Sequence, residues 1–212
     1  MSAYVLTYNT LVTALEFYLQ RLDSNFVSEI PLFIMLAQRR VARELKILGN
    51  KVFIQDTVHV GSPFIEKPMD WLNSSDFYMG TGTDFHTSIP LQQVGYGYCQ
   101  IYWPDATQTG TPKFIADYTI NSWYIAPTPD LLYPYTFSYY QIPTLIADDS
   151  QTNWLTENAP DVLIYAALLE TASYLQDDER VPTWQKYYDL AKSALSQEDM
   201  RRIYDAFSKR GG

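Results

Sequence analysis

Residues 23–48 read DSNFVSEIPLFIMLAQRRVARELKIL, and Ile30, Ile34, Ala37, Val41, Leu45 and Leu48 recur in them at spacings of 4, 3, 4, 4 and 3. That spacing puts all six on one face of a helix. Ser28 is the expected cap, with Glu29 and Pro31 in the first turn, where a missing N–H costs little. Gly49 is the expected stop. Arg39, Arg43 and Lys46 follow each other at spacings of 4 and 3, which predicts a basic ridge on another face. Upstream, Thr10 is expected to cap a first helix with Leu11, Ala14, Leu15, Tyr18 and Leu22 as its apolar positions.

The other end of the chain is helical too. Asn158 can cap a helix with Pro160 and Asp161 in its first turn, running to about Gln176. Asp177, Asp178, Glu179 and Arg180 form a polar turn, and Pro182 opens a further helix with Trp184, Tyr188, Ala191 and Leu195 on its apolar face. Ser196-Gln197-Glu198-Asp199 resembles a capping box, so a last helix carrying Ile203, Tyr204 and Phe207 is expected to restart there. Ser208 to Gly212 should fray.

Between these ends the composition changes. Residues 51–145 hold 9 of the 12 prolines, 6 of the 9 glycines and 19 of the 33 aromatics, with only three cations, Lys51, Lys67 and Lys113. Residues 51–60, 99–103, 113–119, 122–126 and 133–140 are strand candidates rich in Tyr, Ile, Phe, Val and Trp. Asp105 to Pro112 has the composition of a hairpin loop, and Pro127-Thr128-Pro129-Asp130 is a breaker. The expected fold class is α+β. A terminal helical bundle, two N-terminal helices (1–50) plus two or three C-terminal ones (146–212), carries a central antiparallel β insertion (51–145).

At 212 residues and 24.5 kDa a sizeable core is expected, and a hydrophobic share of 47% excludes wholesale disorder. The net charge of −9 divides as +1 over residues 1–50, −5 over 51–145 and −5 over 146–212. It argues against a grip on nucleic-acid phosphates and against docking on an anionic membrane. Cys99 is the only cysteine, so neither an intrachain disulfide nor a cysteine zinc site is possible. The N-terminus lacks the pattern of a secretory signal, and no apolar run reaches membrane-spanning length. A soluble protein in a reducing compartment is expected.

Little in the chain points to catalysis. His59 and His86 lie in different segments, no nucleophile elbow is present, and an ordinary hydrogen-bonded histidine is the simpler reading of each. Gly80-Thr81-Gly82-Thr83 lacks the Lys-Ser/Thr of a phosphate loop and reads as a flexible loop. Glu66, Asp70, Asp76 and Asp84 stand among aromatics, as in a sugar-cleaving cleft, though a solvated acidic surface produces the same pattern. The aromatics of the middle region could stack on sugar rings, which leaves a carbohydrate-binding module as the alternative function. Filling of a sheet core and of protein interfaces accounts for them more simply. No cofactor, metal or catalytic residue is assigned.

Residues 23–48 resemble the N-terminal helix pattern of tailed-phage head-to-tail adaptor proteins, with an Asp-x-x-Phe start, then Ile-Pro-x-Phe-Ile-x-x-Ala and a basic helix ending in Leu. Residues 159–202, APDVLIYAALLETASYLQDDERVPTWQKYYDLAKSALSQEDMRR, are similar to the family's C-terminal helical pair, divided by an acidic turn. Gln38 departs from the pattern, where an acidic residue and an ion pair are expected. The resemblance implies a non-catalytic virion protein, made in the host cytoplasm and placed at the head–tail junction. It would form a ring, normally dodecameric, between the portal protein and a tail or nozzle protein, and DNA would pass through without specific binding. Arg39, Arg43 and Lys46 are then candidates to meet Asp177, Asp178 and Glu179 of a neighbouring copy. Arg201, Arg202, Ile203, Tyr204, Phe207, Lys209 and Arg210 are candidates for a portal-binding tail.

Overall fold

The computed structural model describes residues 6–81, 87–105, 107–175 and 179–208, with side chains as far as 202. Among them are six helices and eight strands: a mixed α+β chain with two antiparallel-rich sheets. The chain divides into two compact units, Met1–Asn50 with Ile142–Gly212, and Lys51–Gln141.

The first unit is helical. Helix α1 (Tyr8–Leu19) is capped by Thr7, not Thr10. Thr10 is the third residue of a capping box: its N–H donates to the Thr7 hydroxyl at 3.3 Å, and Thr7 N–H donates back at 2.7 Å. The buried stripe is Leu11, Leu15 and Leu19, a strict spacing of four. Tyr18 is therefore half exposed, and Leu22 lies beyond the helix, which Gln20 ends in the left-handed region at φ 53°.

Helix α2 (Ser24–Glu44) starts four residues before the expected cap. Asp23 accepts from Phe26 N–H at 3.0 Å, so Ser28 and Pro31 both lie inside the helix. Ile30, Ile34, Ala37 and Val41 are buried as the spacing requires. The helix then stops at Glu44, five residues before Gly49: Leu45 leaves it on an extended backbone, and Leu45 and Ile47 are both buried. Leu48 drops out of the stripe into a single 3₁₀ turn with Gly49 and Asn50. Gly49 is needed there for space, since the Trp154 indole occupies the place of a β-carbon.

The returning chain begins with a short helix outside the expected set, α4 (Trp154–Asn158), capped by Asn153. Asn158 caps nothing: its amide donates back to Trp154 O at 3.0 Å, and α5 (Pro160–Leu175) opens on a proline. Helix α6 (Val181–Ser208) runs unbroken through 28 residues. The expected restart at Ser196 does not occur, since no proline or glycine interrupts the run and Asp199 instead accepts Leu48 N–H at 2.7 Å. Leu11, Ile34, Ala37, Leu163, Ala167, Trp184 and Tyr188 belong to one shared core.

The second unit contains two sheets. One is ordered β1 (Lys51–Thr57), β8 (Pro134–Gln141), β3 (Trp71–Gly80), β4 (Ser88–Pro90), with every neighbour antiparallel. The other is ordered β2 (Phe64–Glu66), β7 (Ser122–Ala126), β6 (Phe114–Thr119), β5 (Gln92–Val94). Its β5–β6 pair is parallel, and a parallel pair needs a crossover. Helix α3 (Tyr96–Tyr102) is that crossover, where a strand over 99–103 was expected. Residues 105–112 consequently connect a helix to a strand and do not form a hairpin loop. The inner faces of the two sheets share an aromatic core in which Trp123 sits edge-on to Phe137 at 4.5 Å and to Phe77 at 6.0 Å.

Candidate functional site

Helix α2 presents Arg39 and Arg43 one turn apart, both exposed. They line an open crevice of about 420 Å³ with Met35, Leu36, Arg40, Glu44 and Glu170. The acidic groups of the crevice are already engaged. Glu170 of α5 pairs with Arg40 at 2.8 Å. Glu44 accepts from the Tyr188 hydroxyl at 3.0 Å and from Lys192 Nζ at 2.8 Å, both on α6. Burial, and then the Glu44 carboxylate, push the Tyr188 hydroxyl far above the usual tyrosine range, while the hydrogen bond to Glu44 raises the Lys192 ammonium. Arg39 and Arg43 make no ion pair with any described residue.

Lys46 does not complete a helical ridge. It lies two residues past the end of α2, outside the helical row, exposed between buried Leu45 and Ile47. Of the acidic partners, Glu179 is exposed in the turn before α6, and Asp177 and Asp178 lie outside the described residues. In the same turn Arg180 donates to Tyr18 O at 2.9 Å and stacks over Trp184.

The C-terminal candidates begin on regular helix, not on a frayed extension. Arg201 and Arg202 are exposed on α6, and Arg202 pairs with Glu198 at 2.5 Å. Ile203, Tyr204 and Phe207 continue that helix, and Lys209 and Arg210 lie outside the described residues.

Gln38 shows why an acidic residue is absent from its position. Its amide is fully buried and donates to Ile34 O at 3.3 Å and Ile146 O at 3.4 Å. Its carbonyl accepts from Ile146 N–H at 2.9 Å and from Asn153 Nδ2 at 3.0 Å. A carboxylate can accept the last two bonds but cannot donate the first two. No ion pair forms there; a neutral amide clamps the returning chain to α2.

The carboxylates that suggested a sugar cleft are dispersed. Asp70 accepts from the Tyr139 hydroxyl at 2.9 Å. Asp76 accepts from Lys51 Nζ at 2.9 Å and from the Ser75 and Ser138 hydroxyls, and the Lys51 hydrogen bond leads the effects that hold its carboxyl below the usual range. The cavity beside Asp76 measures only about 50 Å³. Glu66 and His59 border a different open crevice of about 350 Å³ with Asp56. Asp84 and His86 lie outside the described residues. Cys99 is buried against Ala116, Tyr124 and Ala126, and burial pushes its thiol up. No described helix is long and apolar enough to cross a membrane, and no metal-binding cluster occurs among the described residues.

The model of a family described as SU10 adaptor protein matches residues 6–210. No curated protein matches the chain.

Proposed function

The chain belongs to the SU10 adaptor protein family, a family of phage head-to-tail adaptors, and from that premise we propose that its copies close a ring, normally of twelve, at the head–tail junction. The ring sits beneath the portal, joins it to the tail, and lets DNA pass through its lumen. The family match over residues 6–210 carries this reading. The role is structural: no chemistry, cofactor or membrane takes part.

The charge distribution supports it. A net −9 disfavours adhesion of a phosphate backbone, which suits a surface along which DNA slides. In this reading the terminal helices act as a bundle. Arg39 and Arg43, which have no intrachain ion pair among the described residues, meet Asp177, Asp178 and Glu179 of the next copy, with Lys46 at the margin, in a head-to-tail contact that closes by rotation. The end of α6 and the basic residues after it dock on the portal.

The test is assembly on the cognate portal, read by mass and electron microscopy. A stoichiometric ring is expected, and failure of the wild-type chain to bind the portal refutes the role. Replacing Arg39, Arg43 and Lys46 together by Glu should leave single copies bound without a closed ring. Removal of residues 203–212 should abolish binding.

A further inference from the structure

The sheet β1-β8-β3-β4 has one long edge, β1, that no other described strand pairs. Val58 N–H donates to Tyr133 O at 2.9 Å, and the β1–β8 register continues that alignment from Thr57↔Pro134 back to Lys51↔Tyr140. In an antiparallel pair alternate residues point their N–H and C=O groups toward the partner. Val52, Ile54 and Asp56 therefore face β8, while Lys51, Phe53, Gln55 and Thr57 turn theirs outward. Thr57 N–H is taken up by the Asp56 carboxylate at 2.8 Å. The outward groups of Lys51, Phe53 and Gln55 have no hydrogen-bond partner among the described residues, and the Phe53 side chain is 67% exposed.

The other edges are short. β2, β4 and β5 have three residues each, against seven for β1. On β2 the Phe64 N–H is answered by the Ser62 hydroxyl at 3.4 Å. On β4, Leu91 N–H donates to Phe77 O and Thr81 N–H to Thr87 O, so Ser88 and Pro90 point outward. That edge offers one N–H and two carbonyls, because Pro90 has no N–H. On β1 the Thr57 N–H is taken up by Asp56 and the Lys51 ammonium is drawn to Asp76, and the outward groups of Lys51, Phe53 and Gln55 still leave a longer template for another strand than any three-residue edge.

We propose that β4 of a second copy of this chain pairs with β1, so that this sheet continues from subunit to subunit around the ring. The strand directions carry the choice of occupant. Every neighbouring pair in the order β1-β8-β3-β4 is antiparallel, so β4 runs opposite to β1. Copies that follow one another in the same orientation bring β4 of one beside β1 of the next antiparallel, with the alternation unbroken. The two edges differ, so the contact is head-to-tail and propagates until it closes. With three outward groups on β4 the joint is weak alone, and it forms where a template holds the copies side by side. This inference rests on the ring reading.

Two proteins test it, one with Phe53→Cys and Ser88→Cys, the other with Gln55→Cys and Ser88→Cys, each assembled on the cognate portal and then oxidised. At least one should give a ladder of covalent oligomers extending past the dimer, while each single substitution, with no cysteine facing it across the joint, gives no efficient covalent product. A closed ring with no ladder from either protein overturns the proposal. Efficient dimers from Gln55→Cys alone also overturn it, since they report a twofold β1–β1 contact. If the wild-type chain forms no ring on the portal, the adaptor reading fails first and this inference with it. Phe53→Pro gives a second readout, because it removes an N–H that serves no internal ladder. The variant should fold and bind the portal yet leave rings open, and closed rings at the wild-type yield would count against the joint.

Discussion

The two units of the chain build their cores from different materials. The helical unit fills its interior mainly with aliphatic side chains at spacings of three and four, such as Leu11, Leu15, Ile30, Ile34, Val41 and Leu163. The unit over Lys51–Gln141 packs rings: Phe77, Trp123, Tyr133, Tyr135, Phe137 and Tyr139 lie between its sheets, with three of its eight strands only three residues long. The short strands contribute few inward positions, and those of β2 and β4 are aliphatic, Ile65 and Ile89, so the rings that fill a layer about 10 Å thick come mainly from the longer β3, β7 and β8. In the helical core volume is spread over many similar residues; in the sheet core it is concentrated in a few.

The sharpest way to break that contrast is to remove one ring. Trp123 is nearly fully buried and touches Trp71, Phe77 and Phe137, with Lys67 Nζ 5.3 Å from the centre of its ring. Trp123→Ala should cost about 4–5 kcal/mol, and Leu163→Ala in the helical core about 3 kcal/mol. Urea unfolding of the two variants measures both. Equal losses would mean that the sheet core is no more concentrated than the helical one.

Gln38→Glu probes the helical unit where polarity and not volume is at stake. The variant places a carboxylate at a fully buried position beside the Ile34 and Ile146 carbonyls, which lose their donors. A loss of about 3 kcal/mol at pH 7 is expected. Burial raises the carboxyl of the new Glu above its unfolded value, so the variant should approach wild-type stability as the pH falls toward 4 and lose ground as it rises. A loss independent of pH would contradict the buried-amide account.

The same contrast decides what could be read from the chain alone. The stripe Ile30, Ile34, Ala37, Val41 was legible because α2 is 21 residues long and holds one period throughout. Its ends were not. Three caps are set by side chains that lie outside the apolar pattern, Thr7, Asp23 and Asn153, and α2 stops where Leu45 turns to an extended backbone, with Leu45 and Ile47 buried beyond the helix. In the sheets, β3 carries no clear strand pattern, because register shifts between Trp71 and Asn73 and between Ser74 and Asp76 break its alternation. The segment YGYCQIY has strand composition and is a helix, because the parallel β5–β6 pair demands a crossover that local preference does not encode. Among the candidate contact residues, the pair Arg39 and Arg43 followed from helical spacing. Lys46 did not, since its place depends on where α2 ends. The open edge of β1 had no sequence signal at all: it follows from strand order, a property of the whole sheet.

The smallest effect concerns the hydroxyls of the aromatic core. Tyr139 is buried, donates to Asp70 at 2.9 Å, and has its hydroxyl pushed up to about 12 by burial first and by Asp70 second. Tyr135 is likewise pushed up to about 12, by burial and then by Asp56. Below pH 10 both tyrosines are protonated in the folded and the unfolded chain, so their contribution is fully present there. Above pH 10 the unfolded chain ionises while the folded chain does not, and stability is lost as the pH climbs toward 12. Tyr139→Phe removes one hydrogen bond from a half-buried carboxylate that water can still reach, so about 1 kcal/mol should be lost at pH 8. The variant also has one fewer raised hydroxyl. Its urea midpoint should therefore fall less steeply than the wild type between pH 10 and 11, and the two curves should converge. Parallel curves would mean that Tyr139 ionises in the fold as readily as in the unfolded chain, and that its ring alone, without its hydroxyl, holds the place between the sheets.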